Sequence, residues 1–224
     1  MYIPKKFRQD NQSQLVELIK DRPFATLVCT TSAGLEANHI PLLITATPEN
    51  NYRLKGHIAK ANPLWKTVDN NSSVLVIFHG SQSYISPSFY PTKKEHGKVV
   101  PTWNYMSVHV KGNITFISES DWKLQMLTEL TDHLENDEPS PWKVTDAPDV
   151  YIEKQLGGIV GIEITVESLE GQWKLSQNQP ANNQMGVVDG LSTSGRFGAC
   201  EMSKRVERYG KTAVQDKTKS KNPF

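Results

Sequence analysis

Residues 54–65 read LKGHIAKANPLW. Tyr52–Gly56 alternates apolar and polar side chains, the period of a half-buried strand. Gly56 then permits an unusual backbone angle or a close approach. His57, Lys60 and Asn62 follow within a few residues. Asn62 precedes Pro63, and the two suit the N-cap and first turn of a helix. Leu64, Trp65 and Val68 supply one apolar helical face. The stretch predicts strand, polar turn and helix start. Free N–H groups at such an end, beside a lysine and a histidine, favour an anion, most often phosphate. A routine strand-to-helix connection with solvated side chains fits the same residues.

Upstream, Leu15, Leu18 and Ile19 define a helix over Gln12–Asp21, ended by Arg22-Pro23. Ala25–Thr31 reads as a strand, Ser32–Gly34 as a turn and Leu35–Thr47 as a second strand. Pro41 removes a ladder donor, which places that strand at an edge or a bulge. Pro48–Asn51 is a hairpin turn, so the opening third is a helix and an antiparallel meander, a common start for a small closed barrel.

Downstream, the apolar run Val74–Phe78 suits a strand buried on both faces. Phe89–Val100 carries five charged or histidine side chains and reads as a surface loop. Pro101–Ile117 is a long strand region, with Val108 and Val110 alternating against His109 and Lys111. Ser118–Asp121 predicts a cap for a helix to about Asn136. A short helix over Val150–Leu156 stops at Gly157-Gly158, and Ile159–Leu169 is a strand. Residues 182–198, rich in Gly, Ser and Asn, read as loose chain. A short helix over Glu201–Tyr209 precedes a lysine-bearing tail. The class is mostly β with α decoration: one domain over residues 1–205 with helical extensions at both ends, and a polar, disordered tail over 206–224.

The chain has 224 residues and a formal net charge of +1, which gives no whole-molecule case for nucleic-acid binding. Cys29 lies in an apolar run and reads as a buried thiol, and its distance in sequence from Cys200 gives no metal-ligand spacing. The N-terminus lacks an apolar signal core and no run approaches a membrane span, so a cytoplasmic protein is expected. No P-loop and no glycine-rich dinucleotide fingerprint is present.

Four segments, GHIAKANPLW, VIFHGSQSYISPSFY, VPTWNYMSVHVKG and QWKLSQNQ, resemble the PaiB-like FMN-binding negative transcriptional regulators, in that family's order. The resemblance implies an FMN-binding split β-barrel, shared with pyridoxamine-phosphate oxidases, and a homodimer with flavin at the subunit interface. It also implies negative regulation, as in relatives described as repressors of protease and sporulation genes. A DNA or regulatory-protein partner follows from that reading. The alternative is an FMN-dependent oxidoreductase acting on a small metabolite with NAD(P)H, because a fold alone does not fix a function. Residues 182–198 depart from the family by looking longer and more polar.

FMN presents a dianionic phosphate, a polar ribityl chain and a flat tricycle. The phosphate needs several donors and a cation, since burying its charge unpaired is costly. Lys60, with His57 and the amides along Ile58, Ala59 and Asn62, is the expected clamp. Asn38 and His39, on the neighbouring strand, are expected to face the same cleft. Trp103 and Tyr105 share one strand face with Asn104 on the other, and offer a wall or an edge contact. Ordinary barrel packing explains them equally. Lys174 beside the ring edge would stabilise reduced flavin, with Ser176 and Gln177 as edge contacts. A solvated strand end is the plain alternative for all three.

Overall fold

The computed structural model describes residues 1–219, with side chains through Gly210. In chain order the regular elements begin with β1 (Arg8–Gln9), α1 (Gln12–Asp21), β2 (Phe24–Thr31), β3 (Gly34–Pro41), β4 (Leu43–Ala46) and β5 (Tyr52–Ala59). There follow α2 (Leu64–Thr67), β6 (Ser72–Ile85), α3 (Lys93–His96), β7 (Thr102–Ile117) and α4 (Ser120–Glu135). The chain continues with α5 (Asp149–Gly157), β8 (Ile159–Lys174), α6 (Ala181–Thr193) and α7 (Ala199–Lys219). Mostly β with α decoration is the observed class.

By its internal contacts the chain groups into two compact units. The larger holds Asn11–Phe78 and Val108–Leu169, and the other holds Met1–Asp10, His79–Ser107 and the chain from Glu170 onward. β6, β7 and β8 each contribute residues to both.

In the larger unit the ladder order is β3-β2-β6-β7-β8-β5-β4. Laid flat, seven strands would set β3 and β4 about 29 Å apart at ~4.8 Å per step. Yet only Leu42 separates Pro41 from Leu43, and one residue reaches about 3.5 Å. The sheet therefore curls until its two ends approach, and among the described residues no ladder joins β3 to β4. That is a barrel left split along one seam. Period-two alternation turns Leu27, Leu54, Val76, Val108 and Ile162 inward, each fully or almost fully buried.

Gly56 earns its place by close approach, not by an unusual angle. A Cβ there would lie 2.6 Å from the Pro41 carbonyl oxygen and 2.8 Å from the Leu42 side chain. β5 also runs unbroken through His57 to Ala59, so the expected polar turn starts at Lys60. α1 matches its expected bounds and buries Leu15, Leu18 and Ile19. Met126 and Leu130 of α4 pack with Leu43, flanked by Trp122 and Leu127. Lys123, on the same helix, is buried because its Nζ donates to the Leu156 carbonyl at 2.7 Å, capping α5. The expected side-chain cap at Ser118–Asp121 is not formed, and Glu119 precedes the helix without a capping bond.

Several expectations are corrected. β6 is not buried on both faces: its side chains alternate, with Val74, Val76 and Phe78 in and their neighbours partly exposed. The segment after Phe89 is not wholly a surface loop, since Tyr90 and Thr92 are buried and Lys93–His96 is helical. Residues 182–198 are largely helix, not loose chain. α6 lies so close to Phe89 that Cβ atoms at Gly186 and Gly190 would meet it at 2.1 and 2.2 Å. The small residues that suggested a loop are what the packing needs. α7 extends into the stretch expected as a tail, and residues 220–224 lie outside those described. Among the described residues no helix is long and apolar enough to cross a membrane.

Candidate functional site

The expected site residues fall into two groups, one in each unit. In the larger unit, His57 sits on β5 opposite Gly161 of β8. Gly161 has no room for a side chain, because a Cβ would meet the Trp122 ring at 2.5 Å. His57 Nδ1 is buried with no hydrogen-bond partner. Burial holds the imidazole pKa below its ordinary value, so the neutral form is favoured. Ile58 points into the barrel core, and Ala59 ends the strand, exposed, opposite Ile159.

The turn that follows is tied down by its own backbone. Lys60 N–H donates to the Gly158 carbonyl at 2.8 Å, and Asn62 N–H donates to the Ala59 carbonyl at 2.9 Å. Those two amides are therefore spoken for, and the expected run of free helix-start donors is not there. α2 is a single turn. Asn62 does cap it, accepting from Leu64 N–H at 3.0 Å through Oδ1. The Trp65 indole donates to the Lys60 carbonyl at 3.0 Å, and the Lys60 side chain is exposed.

Asn38 and His39 do not share a face. Adjacent residues of a strand point to opposite sides. Asn38 accepts from Asn62 Nδ2 at 2.7 Å and donates to Glu36 at 3.2 Å. His39 instead meets its cross-strand partner Thr26, Nδ1 to Oγ1 at 3.1 Å. Asn38 is thus brought to the Lys60–Asn62 turn, and His39 is turned away from it.

In the smaller unit, Trp103 is 52% exposed and lies edge-on to Tyr84, centroids 6.2 Å apart. The Arg196 guanidinium sits 4.9 Å from the centre of the Tyr84 ring. Asn104 is buried and donates from Nδ2 to Ser176 Oγ at 2.9 Å. Its Oδ1 has no partner. Lys174 Nζ donates to Thr102 Oγ1 at 2.5 Å. Its pKa lies below the ordinary value, first through burial and then through the positive charge of Lys6. Gln177 uses both ends of its amide on its own turn, accepting from Leu175 N–H and donating to the Trp173 carbonyl. It closes that turn rather than offering a free amide. Ser176 sits in the same turn with φ +61°.

Asn104, Lys174 and Ser176 share a cavity of about 470 Å³ with Lys6, His96, Lys98 and Asn183. Asn183 Oδ1 accepts from both the Thr92 amide and hydroxyl, and its Nδ2 donates to Gln179. Sequence reasoning missed His96, Lys98 and Asn183, because 89–100 and 182–198 read as loop, and it gave Lys6 no role. An asparagine pair, Asn182-Asn183, just inside a proline-led helix start was the available signal.

The donor set in the larger unit suits the polar end of a phosphorylated ligand. It joins a buried, unpartnered imidazole nitrogen to an exposed lysine on the next turn. Residues 1–168 match the family described as "Putative FMN-binding domain", and the chain belongs to it. FMN is the cofactor of that domain. The chain is 33% identical over 207 residues to "Protease synthase and sporulation protein PAI 2" of Bacillus subtilis, covering 92% of this chain and 97% of that one. It is 30% identical to an uncharacterized protein of Aspergillus fumigatus, covering 94% and 98% respectively. Among solved structures, a FAD and heme binding protein of Mycobacterium smegmatis shares the fold at TM-score 0.57 and 14% identity, over 82% of this chain and 80% of that one. The flavocytochrome Anf3 of Azotobacter vinelandii shares it at TM-score 0.53 and 15% identity, over 77% and 72%.

Proposed function

We propose that this chain is a cytoplasmic, FMN-binding negative regulator of transcription, working as a homodimer with flavin at the subunit interface. The near end-to-end likeness to a protein named for protease synthesis and sporulation carries the regulatory part of the reading. His57, Lys60, Asn62 and Asn38 would hold the phosphate and ribityl end. His57 Nδ1 supplies the buried polar atom that a ligand would satisfy, and Lys60 supplies the cation. Bound FMN would bring a redox-active ring. The +1 net charge means that any DNA contact is a local patch.

Two measurements test this. Lys60→Ala should weaken FMN binding, followed by flavin fluorescence, by about 1.5–3 kcal/mol, the scale of a hydrogen bond to a charged group. Unchanged affinity removes Lys60 from the clamp. The purified, FMN-loaded protein should run as a dimer in light scattering and shift promoter DNA at low salt. A monomer, or no shift at any salt, overturns the homodimer or direct repression respectively.

The roomy cavity in the smaller unit favours a second reading, an FMN-dependent oxidoreductase acting on a small metabolite. Bleaching of bound flavin by NADH or NADPH would support it. Absence of bleaching with both donors counts against it.

A further inference from the structure

The cavity beside Lys174 has a one-sided chemistry. Lys6, Lys98 and Lys174 line it together with His96, and no aspartate or glutamate appears among its described lining residues. Lys174 is only partly exposed, and its hydroxyl partner Thr102 carries no charge to offset it. Phe7, buried on the same wall, has both Lys6 and Lys174 ammonium groups near its ring, at 5.1 and 6.0 Å. The ring face eases that crowding only weakly, since a cation over an aromatic face is worth about 0.5–2 kcal/mol. Like charges held together in a partly desolvated cleft favour a bound anion.

The floor of the cavity adds a second, independent requirement. Asn104 is 1% exposed, and only one end of its amide is used. Buried amide oxygens nearly always find a partner, and one left unmade costs about 1–3 kcal/mol. A hydroxyl on the ligand would satisfy it. Asn183 is locked by Thr92 and Gln179, so this wall is already set before anything binds.

We infer that this cavity is a binding site for a small hydroxylated organic anion, carrying phosphate or carboxylate groups, and that it is separate from the flavin clamp at His57 and Lys60. Lys174, Lys98 and Lys6 take the negative charge, and Asn104 takes the hydroxyl. The volume, about 470 Å³, admits a metabolite of sugar-phosphate or hydroxy-polycarboxylate size. This assignment gives Asn104, Lys174 and Ser176 a ligand other than flavin.

Calorimetric titration with citrate and with ribose 5-phosphate separates carboxylate from phosphate as the anionic group. Each is titrated into FMN-free and FMN-loaded protein at low ionic strength. One of the two should bind once per chain, about equally in both forms, and weaken as salt is raised. Lys174→Met and Asn104→Ala should each weaken it tenfold or more, and Lys98→Ala, at an exposed position, severalfold. Lys98→Ala decides the matter if the Lys174 and Asn104 substitutions compromise folding. No binding of either anion, or binding indifferent to all three substitutions, overturns the site. Loss of anion binding on loading FMN also overturns it, because flavin phosphate would then be the occupant. Failure to bind FMN at all would sink the flavin reading while leaving the FMN-free titration to judge this one.

Discussion

Asn62 Nδ2 donates to Asn38 Oδ1 at 2.7 Å, tying the turn after β5 to the middle of β3. The same Asn62 side chain accepts from Leu64 N–H. One residue thus fixes the Lys60 turn against its neighbouring strand and starts the helix that follows. Asn62→Ala removes both bonds and should destabilise the protein by about 1–3 kcal/mol in urea denaturation. FMN affinity should fall as well, because the turn that presents Lys60 is loosened. Unchanged stability would mean that water replaces both bonds at no cost.

Gly186 offers a test with an unusual sign. In a helix interior Gly→Ala ordinarily stabilises by about 1 kcal/mol. Here the new methyl would sit 2.1 Å from the Phe89 carbonyl oxygen, a backbone atom that cannot swing aside. Gly186→Ala should therefore lower stability, by about 1–3 kcal/mol, as over-packing does. Gly157→Ala in the last turn of α5 meets nothing within 4 Å and should be neutral or mildly stabilising. Thermal melts of the two variants should move in opposite directions, or at least differ clearly.

The two thiols should differ in reactivity. Cys29 is buried, and desolvation first, then the charge of Glu36, pushes its pKa up to about 11. Cys200 is exposed. A thiol reagent such as DTNB at neutral pH should label one cysteine per native chain quickly and the second only after denaturation. Cys200→Ser should abolish the fast phase.

His57 sets a pH dependence. Its folded pKa lies below the ordinary 6.5 because burial disfavours the imidazolium. The unfolded chain therefore takes up the proton first. Its contribution to stability is fully present above about 6.5 and is lost as pH falls below that value toward the folded pKa. His57→Gln should flatten the acid limb of a stability-against-pH curve. An unchanged limb would mean that other groups set it. Bound phosphate should act in the opposite sense, favouring imidazolium, so FMN affinity should rise as pH is lowered toward 6.

The β framework was legible because strand alternation is a local property. Val108 and Ile162 announce their inward faces two residues at a time, whereas the unbroken apolar run Val74–Phe78 hid which face of β6 turns in. α1 was legible for the same reason. α6 was not, since Gly186 and Gly190 serve a neighbour, Phe89, that lies far away in sequence. The turn at Lys60 was half legible. Asn62 as a cap and Gly56 as a point of close approach follow from residue type. The consumption of the Lys60 amide does not, because its acceptor is the Gly158 carbonyl, brought in by β8. Asn38 and His39 could have been separated from sequence by the strand period alone.

The pairing of β5 has a consequence for synthesis. One edge of that strand joins β4 within a dozen residues, but the other waits for β8, where Arg53 faces Thr165. On the ribosome more than a hundred residues must emerge before that edge is covered, roughly 5–20 s at ~5–20 residues per second. Until then a nascent hairpin carrying Leu54 and Ile58 presents an open, apolar border to its surroundings. Chaperone dependence during expression, more than the finished molecule's resistance to heat, is where this architecture should show strain.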